Sequence, residues 1–293
     1  MRIARTAAAW LLALALLPIG ARAEPPAHPE PIRFVEHRLA FLVPGPTGPE
    51  VLEIAALAPQ LRGTAPPPDP RALAAQVLRD HPGAVELEPA GATAAFNLDD
   101  VRWRDPVVPW WYAPAGSTPA LDPKAAFDAI SAAAEAWRFA GGTAVRFDFR
   151  GETEAPTGCR GDPAATGYTR DGLNVVGWGE IAGGYLGYAC WWRGTSLVEG
   201  TPFFELLEFD IVFQPAHPYS ASVLQALALH EFGHALGLGH SDACPGAAMC
   251  PAEGALVHLE PQPDDIAGLV ALYGRAPPPR LPPQAVVPLV ARD

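Results

Sequence analysis

The run His230-Glu231-Phe232-Gly233-His234-Ala235-Leu236-Gly237-Leu238-Gly239-His240 constrains this chain more than any other part of it. Residues four apart on a helix share a face, so His230 and His234 can aim their imidazoles at one ion. Gly237 and Gly239 break the helix, because glycine tolerates the positive φ that a sharp reversal needs, and the turn can return His240 as a third ligand. Three neutral imidazoles leave one position of a tetrahedral zinc open for water. Glu231, beside the first ligand, can take the proton of a zinc-bound water as it attacks a carbonyl, then pass it to the leaving amine. The short HExxH pattern recurs by accident; the third histidine in register makes this one specific. His217 and His258 fall in no metal-ligand spacing.

The chain has 293 residues, enough for one large domain or two modest ones. Its 35 prolines gather toward the two ends. Residues 24–98 carry short apolar runs at Leu39 to Val43 and Val51 to Leu57 and one candidate helix, Arg71 to Arg79. From Asp99 the pattern tightens. Val107 to Ala113 predicts a strand, with Pro109 asking for an edge or a bulge. Asp122 caps a helix with Pro123 in its first turn and a stripe of Phe127, Ile130, Ala134 and Trp137. Gly141-Gly142 ends it. Thr143 to Phe149, Leu173 to Trp178 and Tyr185 to Trp192 are further strands. Leu207, Phe209, Ile211 and Phe213 alternate with Glu208, Asp210, Val212 and Gln214, as on a half-buried strand. Ser220 caps a helix from Ala221 to about Leu236, and Asp264-Asp265 open a last one through Tyr273, closed by Gly274. The sum is an α+β fold, a mixed twisted sheet with three helices. Gly177 to Ala182 fits a dinucleotide pattern, but Gly183-Gly184 follow at once and a glycine-rich turn is the better reading. Arg160-Gly161-Asp162 reads as a loop beside Cys159.

Arg2 and Arg5, an apolar stretch from Ala7 to Ile19 and Ala21-Arg22-Ala23 predict an export signal over residues 1–23. A secreted or periplasmic chain with no membrane contact after signal removal follows. Four cysteines in such a chain suggest two disulfides, and of the three pairings open we favour Cys159–Cys190 and Cys244–Cys250, which close loops locally. Acidic residues outnumber basic ones 32 to 20, for a net charge of −12, which argues against a nucleic-acid partner. A monomer is expected.

At the zinc run the chain resembles the metzincin metallopeptidases, and within them the matrixins. Ser241 after the third histidine is similar to the matrixin choice. Met249, nine residues past His240, resembles the methionine turn below the metal, with Cys250 where a tyrosine is more usual. Glu208 to Phe213 and Asp264 to Gly274 resemble the matrixin sheet strand and terminal helix, and Trp103 to Phe149 the opening of the catalytic domain. The likeness covers about residues 99–275 and is nearest to bacterial matrixin-type domains. It implies a secreted zinc endopeptidase with a peptide substrate, bound as an added strand near Tyr188, Trp191 and Trp192. Pro251 and the loop up to Gln262 would shape the pocket after the cut bond. The family also implies a structural calcium, for which Asp162, Asp171 and Asp210 are candidate carboxylates. A second, structural zinc is not expected, since no histidine lies between residues 82 and 216.

Two other readings stand beside this one: a zinc-containing binding protein without turnover, and a structural envelope protein. Residues 24–98 read as a pro-segment or small accessory region, and 276–293 as a proline-rich tail. With no cysteine between residues 24 and 158, a thiolate cannot block the metal. Inhibition by this segment would have to fill the cleft, or place a carboxylate or His81 on the open zinc position, until a cut near residues 90 to 100.

Overall fold

The computed structural model describes residues 33–45, 48–60, 67–87, 96–160, 170–244, 246–251 and 255–276. The expected export signal, Gly161-Asp162 and the tail beyond Ala276 lie outside these residues.

A nine-stranded mixed sheet carries the fold. Its strands are β1 (Arg33–Gly45), β2 (Gly48–Gln60), β3 (Val85–Leu87), β5 (Val101–Arg102), β6 (Val107–Ala113), β7 (Arg146–Glu152), β8 (Val175–Trp178), β9 (Gly187–Leu197) and β10 (Phe204–Phe213). Their order is β3-β1-β2-β9-β10-β8-β6-β7, with β5 pairing on β10. Pairs β6–β7, β6–β8, β10–β8 and β10–β5 are parallel, while β9 runs antiparallel to both β10 and β2. A two-stranded ribbon joins β4 (Phe96–Leu98) to β11 (Leu238–Ser241). Helices α2 (Pro123–Ala136), α3 (Ala221–His234) and α4 (Pro263–Tyr273) are the three expected, and α1 (Pro70–Asp80) is a fourth, from the N-terminal section. Among the described residues no helix is long and apolar enough to cross a membrane.

Strand β6 matches its expected limits, but Pro109 is not at an edge, since β7 and β8 flank β6. Pairing with β8 starts only at Trp111, and the Pro109 carbonyl accepts from the Asn174 side chain at 2.7 Å, so the missing N–H interrupts no bond to β8. A register shift between Trp110 and Tyr112 supplies the irregularity that proline asks for. On α2 the buried face is Ala126, Ala129, Ile130, Ala133 and Ala134, continued by Trp137. Phe127 is only partly buried and packs sideways on Tyr112 and Phe149 at 5.3 and 5.1 Å between ring centroids. The expected stripe is thus rotated toward the small alanines, which let α2 approach α3 closely.

Strand β10 overturns the half-buried reading, because Glu208 through Phe213 are buried on both faces. Helices α2 and α3 cover one face, where Phe209, Ile211 and Phe213 join Trp110, Trp191 and Phe232. The N-terminal hairpin β1–β2 and α1 build a second core on the other, with Phe41, Leu52, Ile54 and Leu73 against Tyr188, Trp192 and Val212.

That second layer encloses two carboxylates. Asp210 accepts from the Cys159 and Val175 amides at 2.6 and 2.7 Å, and Glu208 accepts from the Gly172 amide. Asp171 accepts from the Leu173 amide at 2.9 Å. Asp171 and Asp210 therefore serve backbone amides, and no calcium ligand set gathers around them among the described residues. Burial lifts the Glu208 carboxyl to about 8, against the Gly172 amide that favours its charge, with Asp171 adding to the rise and Arg170 opposing it. Burial and then Glu208 push Asp210 well above the ordinary range. A folded-state pKa above the unfolded value makes stability fall as pH climbs from the unfolded pKa to the folded one, here from about 4.3 to about 8. Glu208→Gln keeps an oxygen for the Gly172 amide and removes this loss. Relative to the parent, its melting temperature should rise by at least about 5 °C between pH 5 and pH 9. Scanning calorimetry at the two pH values checks this, and a pH-independent difference would refute it.

Candidate metal centre

Helix α3 is built to carry buried polar groups. Ser220 caps it, its Oγ accepting from the Val223 amide at 3.2 Å. Leu224 and every residue from Ala226 to His234 are buried, as expected of a helix apolar on all sides. The helix stops at His234, two residues short of expectation, and winds out through Leu236 N–H to Gly233 O and Gly237 N–H to His234 O at 3.1 and 2.8 Å. Carbonyls left over at this end are taken by side chains. Trp103 Nε1 donates to Ala235 O and Tyr273 Oη to Leu236 O, both at 2.8 Å. Gly237 then turns the chain with φ 89°, and a Cβ there would collide with the Val101 carbonyl. Gly239 lies within extended β11, so the reversal rests on Gly237.

The turn brings His240 onto the pair from α3. His230 and His234 Nε2 stand 3.2 Å apart, and ring centroids of His240 lie 5.4 and 5.1 Å from theirs. Nδ1 of His230 faces Ala248 O and Nδ1 of His234 faces Leu238 O, each at 2.8 Å. A ring nitrogen against a carbonyl carries the proton, so both Nε2 atoms turn bare lone pairs inward. Nitrogens about 2.0–2.1 Å from one tetrahedral zinc would stand roughly 3.3 Å apart, so the donor set fits that ion.

A fourth group completes the cluster, and nothing in the local sequence pattern pointed to it. Glu36 of β1 puts Oε2 3.1 Å from Nε2 of both His230 and His234 and in contact with Nε2 of His240. These four are the only group of three or more such side chains able to share an ion among the described residues. Burial opposes charge on Glu36, yet the facing imidazoles of His240, His234 and His230 hold its carboxyl well below the usual range. Arg38 Nε donates to Glu36 Oε1 at 3.2 Å, and Arg38 Nη1 contacts Asp99, the residue at the expected start of the catalytic section. His81 is elsewhere, edge-on to Trp192 at 5.7 Å, and His217 lies against Tyr219 at 4.6 Å. His258 is not in the cluster either.

Glu231 is buried in α3 beside His230, and neither of its carboxylate oxygens has a hydrogen-bond partner; the Ala189 amide of β9 faces it outside bonding geometry. Burial raises this carboxyl to about 8, with His234 opposing and Glu36 adding. A buried carboxylate without a partner is costly to fold around, and such groups concentrate at reactive sites.

Below the histidines, Met249 packs so close to α3 that a Cβ on Gly233 would collide with its Sδ. Disulfide Cys244–Cys250 brackets this turn, and Cys159–Cys190 ties the loop before β8 to β9; both are the favoured pairings. Ser241 closes the turn, its amide donating to Met249 O at 2.9 Å. Asp265 does more than open α4. It accepts from the amides of Ala248, Met249 and Gln262 at 2.8, 3.0 and 2.7 Å, and so also holds Ala248, whose carbonyl orients His230. Asp265→Ala strands three amides in a buried site. The expected loss is about 3–5 kcal/mol, seen as a fall of about 10 °C in melting temperature. A fall under about 3 °C would remove Asp265 from this role.

Tyr188, Trp191 and Trp192 are all buried, where a division between core and cleft was expected. Trp191 stacks on His234 with centroids 6.0 Å apart, and Trp192 and Tyr188 face the N-terminal hairpin. They are covered because β2 pairs along β9 from Val51↔Arg193 to Leu57↔Gly187.

Comparison with known proteins agrees with this arrangement. Over 61 residues the chain is 49% identical to Matrix metalloproteinase-19 of Homo sapiens, a stretch of 20% of this chain and 12% of that protein. The corresponding Mus musculus protein is 46% identical over 61 residues, 20% of this chain and 11% of its own length. The chain therefore aligns with only a small part of these curated relatives. The profile of the Matrixin family matches residues 113–274, more than half of the chain and the span from the last residue of β6 through α4, and so the chain belongs to the matrixin family.

Proposed function

We propose that this chain is an exported zinc-dependent endopeptidase whose catalytic section is about residues 99–275. The carrying observation is the convergence of His230, His234 and His240 on one point beside the unpartnered carboxylate of Glu231. When bound, zinc supplies Lewis-acid polarisation of a carbonyl and a lowered pKa for water. The protein's own groups do the rest. Glu231, buried beside His230, can in its charged form accept a proton from the attacking water and return it to the departing amine. Ala248 O and Leu238 O hold the imidazoles in the tautomer a metal requires. Met249 and Asp265 set the floor under them. Where β2 does not cover it, the outer edge of β9 would offer backbone groups to a peptide lying as an added strand. Two disulfides support an oxidising compartment.

The test is mass spectrometry of peptides released from a protein mixture by the full chain and its Glu36→Ala variant, with and without a zinc chelator. New termini that vanish with chelator are expected, and their absence from both proteins would reject the reading in favour of a zinc protein without turnover.

A further inference from the structure

Strand β1 delivers Glu36 to the metal centre from 194 residues away in sequence, and three features of the N-terminal section hold it there. The first is the ion-pair chain. Arg38 bridges Glu36 to Asp99, so the carboxylate is oriented by a residue of the catalytic section. The guanidinium also lies over the Trp191 ring, 5.9 Å from its centroid. The second is the hairpin. β1 and β2 pair from Arg33↔Gln60 to Gly45↔Gly48, and β2 takes the outer edge of β9 over Val51 to Leu57. Ion pairs pin that edge, with Glu53 on Arg193 at 2.7 Å and Glu50 on Arg170 at 3.0 Å. The third is the apolar layer of Phe41, Leu52, Ile54 and Leu73 against Tyr188 and Trp192.

Chemistry says what Glu36 does there. At the centre of the cluster, two inward-turned imidazole lone pairs, Nε2 of His240 and a carboxylate oxygen converge on one point, an arrangement that a cation reconciles. A carboxylate oxygen ligates zinc at about the same distance as an imidazole nitrogen, and a tetrahedral site with three protein nitrogens has one position left. We infer that Glu36 is the fourth protein ligand of the zinc, and that the β1–β2 hairpin holds the enzyme in a self-blocked form by filling that position and the β9 edge together. The inference rests on the zinc endopeptidase reading. It gives residues 33–60 a definite action: one side chain excludes water from the metal, while one strand takes the backbone groups that a peptide substrate would use. Neither blocks alone, since a carboxylate without the paired strand would exchange with water, and the strand without Glu36 would leave the metal open.

The experiment uses the full chain with cobalt(II) in place of zinc, whose visible spectrum reports the ligand set, and acetohydroxamate as a small chelating probe. Wild type should bind one metal ion, show a spectrum with four protein ligands, and resist the probe. Glu36→Ala should bind one metal ion, show a shifted spectrum, and respond at a probe concentration at least about tenfold lower, because an occupied position reduces apparent affinity by the fraction of molecules that are open. Glu36→Gln keeps the size of the side chain and an oxygen for Arg38 but is a poor ligand, so it should behave like the alanine variant while melting close to wild type. One bound metal ion with identical spectra and probe titrations in all three proteins would overturn the Glu36 assignment alone. Wild type that binds no metal at the histidines would overturn it together with the endopeptidase reading.

Discussion

Replacing Glu231 by glutamine should leave zinc at one ion per chain and the fold intact, while turnover falls by at least about 100-fold. The exchange preserves shape and removes only the capacity to take a proton. No group donates to either Glu231 oxygen, so no bonded network is lost on substitution. Burial makes the charged form of the parent costly, lifting its carboxyl to about 8, and a neutral amide escapes that cost. The three imidazoles keep their partners, since Ala248 O and Leu238 O hold His230 and His234 without help from Glu231. The expected loss is about 2.7 kcal/mol of transition-state stabilisation, the lower end for a general base. It should fall on kcat with KM nearly constant, because a proton acceptor acts in the transition state rather than in substrate binding. Steady-state kinetics on a peptide released by the parent, with metal analysis of both proteins and Glu36→Ala as a common background, decides it. Activity within a few fold of the parent would take Glu231 out of the mechanism.

His234→Ala is expected to abolish stoichiometric zinc. His234 sits within the cluster, fully buried, stacked on Trp191, fixed by Leu238 O at 2.8 Å and 3.2 Å from Nε2 of His230. Its removal takes one of three nitrogens, frees the Leu238 carbonyl and leaves a cavity against Trp191. Loss of an outer partner of a ligand typically costs 10–100-fold in metal affinity, so loss of the ligand itself should exceed about 100-fold. After dialysis the variant should hold less than about a tenth of an ion per chain, and a chelator that lowers the melting temperature of wild type should leave the variant's unchanged. His217→Ala, whose ring lies against Tyr219 rather than the cluster, is the control and should keep its zinc. One full equivalent of zinc in His234→Ala would place the site elsewhere.

What the sequence by itself determined lies within a few turns of chain. The four-residue spacing of His230 and His234 and the break at Gly237 are local rules, and the helix, the reversal and the return of His240 follow from them. So do β6 and α4, whose alternation and capping residues act on their own neighbours. The disulfides are intermediate, since three pairings were open and the short loop that brings Cys244 to Cys250 at low entropic cost only favoured one of them. Tertiary structure decided the rest. Burial of both faces of β10 depends on α1 and the hairpin, which periodicity within one strand cannot register. Asp265 reads as a helix opener until the methionine turn arrives on top of it. Glu36 shows this most clearly, for no spacing links it to His230 across 194 residues. Only the pairing of β1 with β2 and of β2 with β9, driven by apolar burial on the far face of the sheet, sets its carboxylate among the three imidazoles.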